Sequence, residues 1–319
     1  MAPPRIDLVV SKRLVFALRE LEETGRLRTF PEGLSLNQRT LSQYLRVLLH
    51  SFETNDDLNE LVDNLSGGNI RVALEFLSDF VGSGHVDSQK ILGIYQTEGS
   101  YTVPVHEFLR AILYKDHEYY DPSVSRIANI FDITAQDGRE HFLQAIIMSL
   151  VERLGRVGVD EGFIDVDGVF EFCQSKGFTP AQIHTAVDRA VAKKLLDGNP
   201  RLSGSQSIIS VRITSIGAYT VKKLVGTFAY LDAVVIDTPI VSLAIRGAIG
   251  AVAALEDRLD RAELFKSYLS EQWEALNEKG LPFDWGAVIP MLDSDIAKVR
   301  KKQEQVKGGS RRKGATDTH

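Results

Sequence analysis

A glycine pair, an asparagine and an apolar repeat, Gly67-Gly68-Asn69-Ile70-Arg71-Val72-Ala73-Leu74-Glu75-Phe76-Leu77, restrict this chain more than any other stretch. Glycine tolerates the dihedrals of a tight turn, and an asparagine side chain accepts hydrogen bonds from the first free N–H groups of a helix. The helix therefore starts after Asn69. Ile70, Ala73, Leu74 and Leu77 recur at three- and four-residue steps, so they share one apolar face. Arg71 leaves the first turn at the edge of that face and can reach outward.

Three helices are expected before this one. Residues 6–23 have helical periodicity and stop near Gly25, and Pro31-Glu32-Gly33 marks a turn. A second helix, opened by Ser35 or Asn37, carries Leu41, Tyr44, Leu45, Leu48 and Leu49 on one face, and a third covers residues 56–64. Gly-Asn-x-Arg-x-Ala-Leu after such helices resembles the sensor-2 helix in the lid of AAA+ ATPases, particularly the origin-recognition-like and related bacterial (STAND) branches, over residues 5–85. The resemblance implies that Arg71 touches the terminal phosphates of a nucleotide, with Gly68 and Asn69 forming the turn beside it. Without it, the same residues describe a capped core helix with a surface arginine.

The ATPase core has no counterpart here. No Gly-x-x-x-x-Gly-Lys-Ser/Thr occurs, and without that loop of N–H groups and its lysine nothing cradles β- and γ-phosphates. Val234-Val235-Ile236-Asp237 has the look of a Walker-B strand, but Thr238-Pro239 follows where a catalytic acid belongs. The expectation is a non-enzyme that binds no cofactor alone and meets ATP only when a P-loop core is supplied in trans.

From His141 onward the pattern resembles a winged helix-turn-helix. Residues 142–151 form an apolar first helix ended by Gly155, and Gly162-Phe163-Ile164-Asp165-Val166 reads as a short strand. Asp165 or Asp167 caps a second helix running through Gln174. Thr179 as N-cap and Pro180 at the first helical position then launch a third helix to about Leu195. Gly198-Asn199-Pro200 and Ser203-Gly204-Ser205 bracket a wing, residues 208–213 return as an alternating strand, and a fourth helix runs from Thr214 to about Tyr230. Such a domain follows the lid in origin-recognition-like ATPases.

In a helix-turn-helix, the third helix buries one stripe and offers the other to the major groove. Ile183, Val187, Ala190, Val191 and Leu195 form the expected buried stripe, leaving Gln182, Thr185, Arg189 and Lys193 outside. Glutamine and arginine read base edges, while Lys193, Lys194 and Arg201 suit phosphates. Asp188 on the same helix opposes a phosphate, and many winged helices bind proteins instead.

The remaining features narrow the function class. With 319 residues, 44% hydrophobic and 25% charged, the chain suits two or three small domains with a well-buried core. Its net charge of −6 argues against general coating of nucleic acid. Cys173, the single cysteine, excludes an intramolecular disulfide and reads as buried. His117-Glu118-Tyr119-Tyr120-Asp121 lacks the spacing that places two metal ligands on one helix face, so a polar turn is expected. The first residues, Met-Ala-Pro-Pro-Arg, lack a signal peptide's apolar stretch and Gly247 to Leu255 is too short to span a bilayer, so a cytoplasmic protein without a membrane partner is expected.

Leu255, Leu259, Ala262, Phe265, Leu269, Trp273 and Leu276 stripe a long helix over residues 251–278, and Phe283-Asp284-Trp285 begins a last short helix. The following tail holds Lys298, Arg300, Lys301, Lys302, Lys307, Arg311, Arg312 and Lys313 against Glu304, which suits either phosphate contact or a solvated disordered end.

The expected architecture is mainly α: a lid-like region over 1–85, a helical connector over 86–138, a winged helix-turn-helix with a small β-wing over 139–232, a helical extension over 233–297 and a basic disordered tail over 298–319. The expected function is that of the non-catalytic C-terminal regulatory portion of an AAA+/STAND-like ATPase, with double-stranded DNA, a P-loop ATPase core or another protein as partner. The alternative is a stand-alone protein-protein interaction module that binds neither nucleic acid nor nucleotide.

Overall fold

The computed structural model describes residues 5–24, 38–83, 88–156, 162–200, 208–250 and 254–314. It is mainly helical, with one three-stranded antiparallel sheet among the described residues. The chain divides into two compact units, 1–127 and 128–319.

Unit 1 contains α1 (Ile6–Thr24), α2 (Gln38–Thr54), α3 (Asp56–Ser66), α4 (Ile70–Gly82), α5 (Ser88–Glu98) and α6 (Val105–Tyr114). The helices turn most of their apolar positions inward, as the periodicity requires, with Leu8 and Phe16 of α1 as exposed exceptions. Leu14 and Leu18 of α1, Tyr44, Leu45 and Leu48 of α2, Leu58 and Leu61 of α3, and Phe76 and Phe80 of α4 are all buried. Phe80 stacks on Phe108 of α6 at 5.0 Å between ring centroids. The stretch assigned to a connector is therefore divided: α5 and α6 belong to this unit.

Unit 2 begins with residues that the sequence presents as the connector's end. Phe131 is fully buried and meets Phe142, Phe265 and Trp285 edge-on at 6.3, 6.0 and 5.8 Å. After a 3-10 turn, Gly138–Phe142, come α7 (Leu143–Gly155), β1 (Ile164–Asp165), α8 (Val166–Ser175), α9 (Pro180–Ala192), β2 (Leu196–Pro200) and β3 (Ile208–Ile213). The sheet has the order β1-β3-β2, with Ile164 opposite Val211 and Leu196 opposite Ile213.

Beyond the sheet, the expected fourth helix is broken into α10 (Ser215–Lys222), a 3-10 turn at Leu224–Gly226, and α11 (Phe228–Val234). Within that turn Gly226 lets the helix that carries Met291 come close, because a Cβ there would lie 2.9 Å from the Cβ of Met291. Next come α12 (Leu243–Ala248), α13 (Leu255–Leu276) and α14 (Trp285–Gly314). The backbone of the basic segment continues α14 as helix through Gly314, where a disordered tail was expected from residue 298. Arg258 and Arg261 of α13 grip the fully buried Asp232 of α11, with Arg258 Nε donating at 2.8 Å and Arg261 Nη2 at 2.6 Å. Removing one partner of such a cluster typically costs about 3–5 kcal/mol, so it fixes α13 against α11.

Candidate functional site

The turn before α4 is built by local chemistry alone. Gly67 takes left-handed dihedrals (φ 61°, ψ 33°) and Gly68 has φ 74°, conformations in which a side chain is strained. Gly67 N–H donates to Asn64 O at 3.0 Å and Gly68 N–H to Asp63 O at 3.3 Å, which closes α3. Asn69 Oδ1 then accepts from the N–H groups of Arg71 at 3.0 Å and Val72 at 3.4 Å, which opens α4.

Arg71 is left exposed in that first turn. Glu75, one turn further at the i+4 position, is taken by Arg126. Among the described residues no ion pair or hydrogen bond holds the Arg71 guanidinium. The three residues singled out from the sequence, Gly68, Asn69 and Arg71, thus form one capped turn carrying one unengaged cation.

The residues expected to read DNA are placed differently. Gln182 is 5% exposed and does not face outward. Its Oε1 accepts from Thr179 N–H at 2.9 Å, while Thr179 Oγ1 accepts from Gln182 N–H at 3.3 Å, a reciprocal capping box. The Gln182 amide then donates to Glu140 Oε2 at 3.0 Å. Glu140 is itself buried and accepts from Thr134 N–H, Thr134 Oγ1 and Ala135 N–H at 2.9, 2.5 and 2.9 Å.

Arg189 lies on the same side of α9 and is half-buried, with Nη1 2.8 Å from Asp132. Burial pushes the Asp132 carboxyl above the usual range and the guanidinium opposes that shift. The side of α9 assigned to base recognition is therefore packed on residues 132–140. Thr185 Oγ1 donates to Ala181 O at 2.9 Å, back into its own helix. Lys193 closes α9 and is half-buried; Lys194, with φ 60°, is exposed. Arg201 lies outside the described residues.

Glu140 and Asp132 carry no signal in the sequence, because their partners on α9 stand forty to sixty positions away. The outward stripe of α9 is Ala181, His184, Asp188 and Ala192. His184 Nδ1 lies 2.8 Å from Asp188. His184 and Asp188 of this stripe, with Val166, Asp167, Phe170, Val187 and Ile208, line a cleft of about 150 Å³.

Other titratable groups have structural surroundings. Cys173 is buried and its thiol is pushed up to about 12 by that burial, so it stays protonated and unreactive. His117 pairs with Asp116 at 3.6 Å. Among the described residues no group of three or more His, Cys, Asp and Glu could hold a metal ion. Nor, among them, is any helix long and apolar enough to cross a membrane. No protein-family model, no curated protein and no solved structure matches this chain at a significant level.

Proposed function

We propose that this chain is a non-catalytic regulatory portion of an AAA+/STAND-like ATPase that works with a P-loop core carried by another polypeptide. In this reading unit 1 supplies a lid, and the helix-strand-helix-turn-helix-hairpin of unit 2 is a winged helix that serves as the docking element. The observation that carries it is the α4 turn: a glycine pair and Asn69 fix a helix start, and Arg71 stands exposed there with no carboxylate engaging it among the described residues. An arginine fixed at its backbone but free at its guanidinium suits a γ-phosphate presented from outside, where charge-assisted hydrogen bonds are strong.

The α9 geometry favours a protein over duplex DNA as the partner of unit 2. Two of the side chains suited to base edges, Gln182 and Arg189, are engaged by Glu140 and Asp132. What α9 presents instead is small residues with a His184–Asp188 pair, which gives phosphates little to hold.

The test is affinity purification of the full chain from its own cells, with a non-hydrolysable ATP analogue or with ADP, for wild type, Arg71→Ala and Arg71→Lys. The expected result is co-purification of a P-loop protein with the ATP analogue, lost in Arg71→Ala and partly kept in Arg71→Lys. A partner set that ignores both the nucleotide and Arg71 contradicts the reading.

A further inference from the structure

Unit 1 presents a surface of mixed sign on α1. Leu8 and Phe16 are 53% and 60% exposed, although the same helix buries Ile6, Val10, Leu14, Leu18 and Leu21. At 3.6 residues per turn Leu8, Lys12, Phe16 and Arg19 fall on one outward stripe. Lys12 and Arg19 are exposed, and among the described residues neither is held by an ion pair or hydrogen bond.

Beside that stripe lies a groove of about 450 Å³ between α1 and α3. Its exposed apolar residue is Leu8, above the buried Ile6 and Phe52, and its walls carry Glu53, Asp56 and Asp63, for which no cation partner exists among the described residues. Asp7, also in the wall, is already held by Arg5 at 2.6 Å. Asn59 adds a second kind of vacancy: its Nδ2 donates to Phe52 O at 2.8 Å, while its buried Oδ1 accepts no hydrogen bond. A buried acceptor without a donor is costly, so Asn59 Oδ1 is a polar group that the fold leaves unpaired next to the acidic wall.

We infer that a second copy of this chain occupies this surface, the α1 stripe of one protomer lying in the α1–α3 groove of the other and reciprocally. Charge decides the occupant. Nucleic acid or an anionic lipid surface drawn to Lys12 and Arg19 meets Asp56 and Asp63 beside them, and a purely basic peptide meets the converse. A two-fold axis sets each patch of one protomer on the opposite patch of its partner, so both signs are satisfied at once.

The register follows from the same charges. Direct antiparallel packing of α1 on α1 about Lys12 sets Lys12 against its own copy and is repelled. Displacement onto the groove replaces that repulsion with Lys12 and Arg19 over the acidic wall, and gives Phe16 the exposed Leu8 of the partner's groove to cover. This association does not depend on the ATPase-lid reading.

Sedimentation velocity of the full chain from roughly 1 to 100 µM tests it, at low salt and again at a salt level that shortens the Debye length to a few ångströms. The expected result is a concentration-dependent dimer, weakened about tenfold or more by high salt, by Phe16→Ser, by Lys12→Glu with Arg19→Glu, and by Asp56→Lys with Asp63→Lys. Mixing the two charge-reversed proteins is expected to restore association, because each then offers the other a complementary stripe and groove; a misfolded variant cannot do so. A wild type that stays monomeric, a dimer indifferent to these substitutions, or a mixture that stays dissociated overturns the inference.

Discussion

His141 is fully buried between two hydrogen-bond partners of opposite kind. Its Nδ1 lies 2.5 Å from Phe131 O and so carries the proton it donates there; its Nε2, 2.9 Å from Tyr268 Oη, is left to accept. Tyr268 Oη in turn accepts from Val241 N–H at 3.1 Å. The network needs a neutral ring, and burial, only partly offset by Phe131 O, Glu140 and Asp137, holds its pKa below the ordinary 6.5. The sign follows: above that ordinary value both folded and unfolded states are neutral and the full contribution is present. As pH falls through it, the unfolded chain takes up a proton that the fold resists, and stability is lost. Urea unfolding at about pH 7.5 and 5.5 is expected to show a smaller fall in midpoint for His141→Gln than for wild type; equal falls mean that His141 is not the group responsible.

At the scale of one element, α9 separates what is written locally from what is not. Thr179 and Pro180 announce its start, because an N-cap hydroxyl and a proline at the first helical position act within four residues of chain. The same holds for Gly67, Gly68 and Asn69 at α4, where turn and cap are neighbours in sequence. Which side of α9 faces inward has no such local determinant. A stripe count leaves Gln182 outside, and only Glu140, supplied by the segment before α7, brings it in. Glutamine is polar and its burial is paid for by hydrogen bonds, so hydrophobic periodicity cannot register it. Gln182→Ala is expected to cost about 1–3 kcal/mol in urea unfolding, since it removes the capping box and one donor from a buried carboxylate. Retention of duplex DNA, if any is measured, is expected to be unchanged. Unaltered stability with weakened DNA retention returns Gln182 to the role its position in sequence suggests.

The division of the whole chain was least legible. The sequence places a helical connector over residues 86–138, yet α5 and α6 join the first unit and residues from Ala128 onward join the second. Pattern reading fails here because Asn129, Ile130 and Phe131 lie in irregular backbone whose partners are remote: Asn129 Nδ2 donates to Thr238 Oγ1 at 3.0 Å, and Tyr230 Oη accepts from Ile130 N–H at 3.0 Å. Period-based reading sees helices and strands, not buried loops held by side chains. A fragment of residues 128–319 is therefore expected to unfold cooperatively, whereas 139–319, which keeps Phe142, Phe265 and Trp285 but lacks the Phe131 ring packed among them, is expected to lose about 3–5 kcal/mol or more and its sharp transition. Equal cooperativity of the two fragments places the boundary later than Ile127.

At this same scale stands the claim that phosphate chemistry reaches this polypeptide from another molecule. Steady-state ATP hydrolysis by the full chain, purified to homogeneity and assayed with and without a co-purifying P-loop protein, addresses it most directly. Turnover is expected with that protein present and sensitive to Arg71→Ala, with background alone in its absence. Hydrolysis by the isolated chain that co-fractionates with it through further purification contradicts the claim.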